Sequence, residues 1–556
     1  MRPTLLAALC ILCGACAHAQ NNRPAAPDLV LTGGKVFTAD PARPWAEAVA
    51  IRGERIVAVG STDEVSRLAG TATRRIALDG RVVVPGFNDA HDHAGGAEYG
   101  ASFATGPSPM PDPEPGVVLD SVRALAARTP PGTWLRTTIG MRVLEDGAAT
   151  RAALDRAAPD HPVLLWSWTG HGTVVNGAAL RALGITESAR DPAGGWYERD
   201  AAGRLTGVVH EYAEWGVLRR LHSGVPDGSM AASLRAYASA AAAMGITSVQ
   251  LMNGYLDPAK TVRVLREARV PIRVRSIPFL TTGPTGREVA EWRGIDRNPA
   301  PRTVISGAKW VLDATPIDRN ALMRQPYADR AGWHGRPNFP PDTVRAILAE
   351  ALATREQVML HIAGDSTLRV VFGAMQALAP DSVWRPLRVR IEHGDWLSGE
   401  LLPVARRLGI VLVQNPTHLA LDPAVLRQRF GGIPSGFQPL RSVLDAGVPV
   451  AFGSDGPNNP FLNLMFAVTH PTHPHEAITR EQAVTAYTRG SAFAEFAERD
   501  KGTLAPGMLA DLAVLSQDIF IVPAQALPGT TSLLTLVGGS VVHDRLTSGS
   551  AAGAGP

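Results

Sequence analysis

The residues best suited to chemistry in this chain are histidines. His91 and His93 form a His-x-His pair just after the apolar run 82–84 and the Pro85-Gly86 break. On an extended chain, residues two apart point the same way, so both imidazoles could reach one metal ion. Alone the pair is weak evidence, because two unrelated surface histidines can share that spacing. Further along, Lys309 stands in Ala-Lys-Trp-Val-Leu-Asp313. His361 closes Val-Met-Leu-His, His393 closes Arg-Ile-Glu-His and Asp455 closes Phe-Gly-Ser-Asp. Lys309 lies within a run that reads as a buried strand, and the other three stand at the ends of such runs. Singly, the histidines have the bland reading of satisfied core residues, and Asp455 that of a helix N-cap. Together, four histidines and an aspartate at the same ends of four strands fit a metal centre.

The elements that must position these residues alternate. Strands are expected at 82–87, 246–251, 272–279, 305–313, 358–361, 389–393, 410–414 and 449–454, with amphipathic helices between them, as at 342–354, 366–378 and 401–408. Such alternation predicts parallel βα units. The fold class is therefore α/β, a TIM-like (β/α)8 barrel over 82–500, with chemistry at the carboxyl ends of the strands. The two ends of the chain read differently, as short strands with glycine turns at 28–81 and 501–545. They are expected to combine into one composite β-sandwich. Between His93 and the strand at 246 lie about 150 residues, too many for a plain loop. Residues 95–230 are read as an inserted subdomain after the first barrel strand, leaning over the barrel mouth, with a strand at 163–168 and a helix at 176–183.

Composition sets the outer limits. The 556 residues are 45% apolar, enough for large cores. Lys+Arg number 54 against 51 Asp+Glu, so charge gives no case for nucleic acid. Arg2, the apolar run 5–12 and Ala17-His-Ala19 resemble a secretory signal peptide over 1–19, which implies a periplasmic or secreted protein. Leu12-Cys-Gly-Ala-Cys16 also resembles a lipobox, with Cys13 where an aliphatic residue is usual; the alternative is a lipoprotein anchored through Cys16. All three cysteines, Cys10, Cys13 and Cys16, lie in this leader. Its removal leaves no thiolate, so any metal must be held by His, carboxylate or a modified Lys. No later run is long enough to span a membrane. The tail 546–556 is expected to be disordered.

Val84-Pro-Gly-Phe-Asn-Asp-Ala-His-Asp-His93, His361-Ile-Ala-Gly-Asp365, Ile391-Glu-His393 and Gly453-Ser-Asp455 resemble the metal-dependent amidohydrolase superfamily. Trp168-Thr-Gly-His-Gly-Thr-Val-Val-Asn-Gly-Ala-Ala-Leu180 and Gly507-Met-Leu-Ala-Asp-Leu-Ala-Val-Leu515 are similar to its amidohydrolase-3 branch, which includes YtcJ-like proteins and N-substituted formamide deformylases. The resemblance covers nearly the whole chain after the leader. It implies a divalent metal centre, two zinc ions bridged by carboxylated Lys309, or one zinc if Lys309 is unmodified. His91 and His93 are assigned to one metal with Asp455, and His361 and His393 to the other. Ala314 departs from the glycine usual after the Lys-to-Asp segment, which bears on the following loop. The implied activity is hydrolysis of carbon–nitrogen bonds other than peptide bonds, with Asp455 taking a proton from the attacking water and passing it to the leaving amine. Alternatives are ester or lactone hydrolysis, deamination, or a catalytically idle binding protein. His171 is expected to contact a small-molecule substrate, and the family resemblance makes a homodimer plausible. Asn176 is read as a helix cap. The run His470-Pro-Thr-His-Pro-His475 reads as a rigid loop rather than a second metal site.

Overall fold

The computed structural model describes residues 25–93, 99–106 and 110–546. The expected signal peptide, 1–19 with its three cysteines, and residues 547–556 of the tail expected to be disordered lie outside the described residues. Among the described residues, no helix is long and apolar enough to cross a membrane.

The site is carried by parallel strands Phe87–Asp92 (β1), Ile246–Asn253 (β2), Arg273–Pro278 (β3), Ala308–Val311 (β4), Val358–Ile362 (β5), Arg390–His393 (β6), Val411–Gln414 (β7) and Val450–Phe452 (β8). They form two arcs. One runs β1, β2, β3 and then the short strand Thr303–Ile305; the other runs β4 to β8 in chain order. The arcs meet at single links rather than ladders. Phe279 and Lys309 form an isolated parallel bridge, and the Asp455 amide donates to the His91 carbonyl at 2.9 Å. The result is a mixed α/β, TIM-like fold. Every residue of β5, β6 and β7 is buried, as expected for strands covered on both faces.

Two expected strands are each split in two. The run expected at 82–87 is a strand Val82–Pro85, which pairs with Lys35–Phe37 and Leu512–Leu515, followed by β1, which pairs with β2. Pro85 cannot donate to a continuing ladder. Gly86 lies so close to Thr247 that an added Cβ would sit 2.2 Å from its Cγ2, so only glycine fits the crossing. The run expected at 305–313 divides into Thr303–Ile305 and β4 at Gly307, whose φ of +83° is a glycine conformation.

Strands from the two chain ends share one sheet. Ser540–Asp544, Ser532–Val537, Leu512–Leu515, Val82–Pro85, Lys35–Phe37 and Trp45–Ala46 lie side by side. Leu512, Val514, Leu534 and Leu536 pack in one apolar core with Leu29, Leu31, Val49 and Ile51 of the neighbouring N-terminal sheet.

Between β1 and β2 stands a separate six-stranded sheet, ordered Gly195–Arg199, Leu205–Glu211, Gly172–Val175, Val163–Ser167, Leu135–Ile139, Ala101–Ser102. Its own core includes Val118, Leu135, Leu154, Val163 and Val174. Asn176 caps the helix Gly177–Ala182, its side chain accepting from the Ala179 amide. Helix Asp227–Ala243 runs directly up to β2, so the boundary expected at 230 falls inside a helix.

Candidate metal centre

Asp455, just beyond β8, sits between two pairs of histidines. Its Oδ1 is 3.6 Å from His91 Nε2 and 3.3 Å from His93 Nε2. Its Oδ2 is 3.6 Å from His393 Nδ1 and 3.5 Å from His418 Nε2. Two groups with metal-ligand spacing therefore share one carboxylate: His91, His93 and Asp455, and His393, His418 and Asp455. His393 and Asp455 both have positive φ, +67° and +44°. Such strain persists only where the surroundings impose it, and it gathers at functional sites.

Lys309 and His361 come from the adjacent strands β4 and β5, with Val311 opposite His361 in the register. Lys309 Nζ and His361 Nε2 are both enclosed and have no hydrogen-bond partner. Lys309 is not neutralised by Asp313. That carboxylate instead accepts from the amides of Ala363, Gly364 and Leu322 and from the Thr367 hydroxyl. A buried polar atom without a partner is costly. Orphaned nitrogens beside four imidazoles and a carboxylate suit a site completed by a cation. The ring of His361 lies 4.3 Å from that of His393, but His361 stands outside the group formed by His393, His418 and Asp455.

Charge follows from burial and neighbours. Burial pushes His91, His361 and His393 down and His93 to about 3. They are neutral imidazoles, the form that ligates metal. Burial opposes ionisation of Asp455, but the surrounding imidazoles, the charged His418 among them, hold it well below the usual carboxylate range. Burial lowers Lys309 to about 8. His418 is disfavoured as a cation by burial, yet the Asp395 and Asp455 carboxylates hold it up at about 10.

Partners behind the histidines fix their ring nitrogens. His91 Nδ1 is 2.5 Å from Glu392 Oε2. Arg390 and His91 overcome the cost of burial and keep Glu392 ionised, so His91 Nδ1 must be the donor and Nε2 is left for a metal. Arg390 clamps Glu392 at 2.8 and 2.9 Å. Asn415 Nδ2 donates to the Gly453 carbonyl, so its Oδ1 accepts from His393 Nδ1 at 2.9 Å.

His418, Asp395, Glu392, Arg390 and Asn415 escaped the sequence reading. His418 lies in the 3-10 turn Pro416–Ala420 beyond β7, where no strand period points to it. Arg390 and Glu392 were visible in Arg-Ile-Glu-His, where alternation puts both on one face. In the His470 loop, His470 is buried with its Nε2 paired to the Gln438 carbonyl, while His475 is exposed.

A cavity of about 600 Å³ opens over the centre, lined by His93, Lys309, His361, His393, His418 and Asp455 below and by Trp166, Trp168 and His171 of the inserted sheet above. His171 Nδ1 is 2.9 Å from Glu211 Oε1, and its ring is 4.8 Å from that of His361. Burial works against its charge, but Glu211 outweighs it and raises His171 to about 9.

Fold and centre together define a TIM-like α/β protein with a histidine–aspartate cluster at the strand carboxyl ends. The model of the Amidohydrolase family matches residues 74–543, and the chain belongs to that family. It is 26% identical to the putative amidohydrolase YtcJ of Bacillus subtilis (strain 168), over 92% of this chain and 99% of that protein. It is 27% identical to the N-substituted formamide deformylase of Arthrobacter pascens, over 94% of this chain and 99% of that protein. Among solved structures, an uncharacterized metal-dependent hydrolase from Pyrococcus horikoshii matches with a TM-score of 0.68 at 19% identity, over 89% of this chain and 99% of that one.

Proposed function

We propose that this protein hydrolyses carbon–nitrogen bonds other than peptide bonds, in amides or N-substituted formamides, with a divalent metal centre. The observation that carries this is Asp455 shared between two histidine pairs at the strand ends. The deformylase relative, similar over almost its full length, supports the bond type. His91, His93 and Asp455 would hold one zinc ion, and His393 with His361 and His418, the last giving up its proton on binding, a second. Lys309, carboxylated, would bridge them. Burial favours its neutral amine, the form that adds carbon dioxide and releases a proton. When bound, the metal polarises the carbonyl and makes hydroxide available near neutral pH. Asp455, held ionised, takes the proton of the attacking water and returns it to the leaving nitrogen. His171, fixed through Nδ1 by Glu211, keeps Nε2 for the substrate.

The same reading includes closure of the two strand arcs into one (β/α)8 barrel, and the two terminal sheets as one composite sandwich. It includes export to the periplasm or beyond through the leader, with anchoring at Cys16 as the alternative, and a homodimer. Metal analysis with an amide and formamide panel tests the chemistry. About two equivalents of zinc and inactivity of Asp455→Asn are expected. Full activity of the chelated, metal-free chain would sink it.

A further inference from the structure

The cavity walls carry a selective charge pattern. Its upper and side walls are aromatic: Trp166, Trp168, Trp215, Tyr255 and Phe279. Of the 54 Lys and Arg in the chain, Lys309 alone is among the described residues lining the cavity. Lys309 lies at the floor with the candidate ligands. Two imidazoles at the cavity already face carboxylates, His171 against Glu211 at 2.9 Å and His418 between Asp395 and Asp455 at 3.6 and 3.5 Å. Two of these acids, Asp395 and Asp455, line the same space. A carboxylate carried in by a substrate would lose water, meet like charges and find no free cation among the described wall residues. An aromatic group would find rings on several sides, which is how apolar pockets of this size hold small molecules.

Resting on the amide-hydrolase reading above, we propose that the cavity takes substrates whose non-reacting part is aromatic or otherwise apolar and bears no carboxylate. Uncharged aralkyl amides and formamides are then hydrolysed in preference to N-acyl amino acids. In the reaction the C–N bond breaks, oxygen from water joins the acyl carbon, and the amine leaves with a proton.

The matched pair N-(2-phenylethyl)formamide and N-formylphenylalanine differs only by the carboxylate. N-Formylphenylalanine amide restores the bulk without the charge. With the full-length zinc-loaded protein, both uncharged compounds are expected to exceed the acid in kcat/KM by about 100-fold, the scale of an unpaired charge moved into a poorly solvated site. Equal or faster hydrolysis of the acid overturns the proposal. If no compound is turned over, the amide-hydrolase reading fails separately. Quenching of tryptophan fluorescence then decides the cavity proposal: tighter binding of the uncharged ligands supports it, and equal or tighter binding of the acid overturns it. Leu421→Arg, which puts a cation on the wall, is expected to narrow the ratio about tenfold. An unchanged ratio in that variant overturns the electrostatic origin.

Discussion

His91 Nδ1 lies 2.5 Å from Glu392 Oε2, and both side chains are fully buried. The contact orients the first histidine from behind. Such carboxylate–histidine pairs typically govern metal affinity by about 10- to 100-fold. Glu392→Gln is expected to lower zinc affinity on that scale in a chelator competition, with secondary structure retained by circular dichroism. Unchanged affinity would show that Glu392 does not set the His91 ring.

Asp455→Asn keeps the shape of the side chain and removes its charge and basicity. A fall in kcat of roughly 10²- to 10⁴-fold is expected, the usual scale for loss of a positioned proton-transfer group. An unchanged kcat in the Asp455→Asn variant would rule out the proton role. His418→Ala tests the second group by metal content: zinc should fall from about two equivalents to about one.

Lys309 Nζ is buried without a hydrogen-bond partner among the described residues. Incubation with ¹³C-bicarbonate is expected to give one protein carbamate resonance that Lys309→Ala lacks. Absence of that resonance in the zinc-loaded wild type removes the bridge and leaves a site held by histidines and Asp455.

His171 is raised to about 9 from an ordinary 6.5. Its folded pKa lies above the unfolded one, so its contribution to stability is complete below about 6.5 and is lost as pH climbs through about 9. Urea unfolding of wild type should weaken from pH 7 to pH 9.5. His171→Gln should flatten that part of the decline, and an identical slope in the variant refutes the Glu211 pairing as its origin.

Asp313 is buried and accepts from three backbone amides and the Thr367 hydroxyl, tying the segment after β4 to the turn after β5. Asp313→Ala strands those donors. Each costs roughly 1–3 kcal/mol when left unmade, so a loss of about 3 kcal/mol or more is expected in denaturant unfolding.

The histidines at the strand ends were legible because apolar runs stop at them, and the strand period then fixes which side chains share a face. The split at Pro85-Gly86 was legible only as punctuation. Whether a run crosses from one sheet to another depends on what lies against Gly86, and Thr247 is distant in sequence. His418 was hidden for a related reason. It reaches Asp455 from a turn, where direction is set by tertiary packing instead of a repeat. Arg390 and Glu392 look like ordinary strand charges until His91 of β1 is brought against Glu392 of β6.

The strand Val82–Pro85 is held on one side by Lys35–Phe37 and on the other by Leu512–Leu515. Its second neighbour is made about 430 residues later, a separation that delays pairing. A ribosome-bound or truncated chain ending before Leu512 leaves an apolar strand edge open beside β1, ready to pair with another chain. Completion of the N-terminal core is therefore coupled to synthesis of the last segment, and early stop mutations should appear as aggregation rather than as a soluble, inactive fragment.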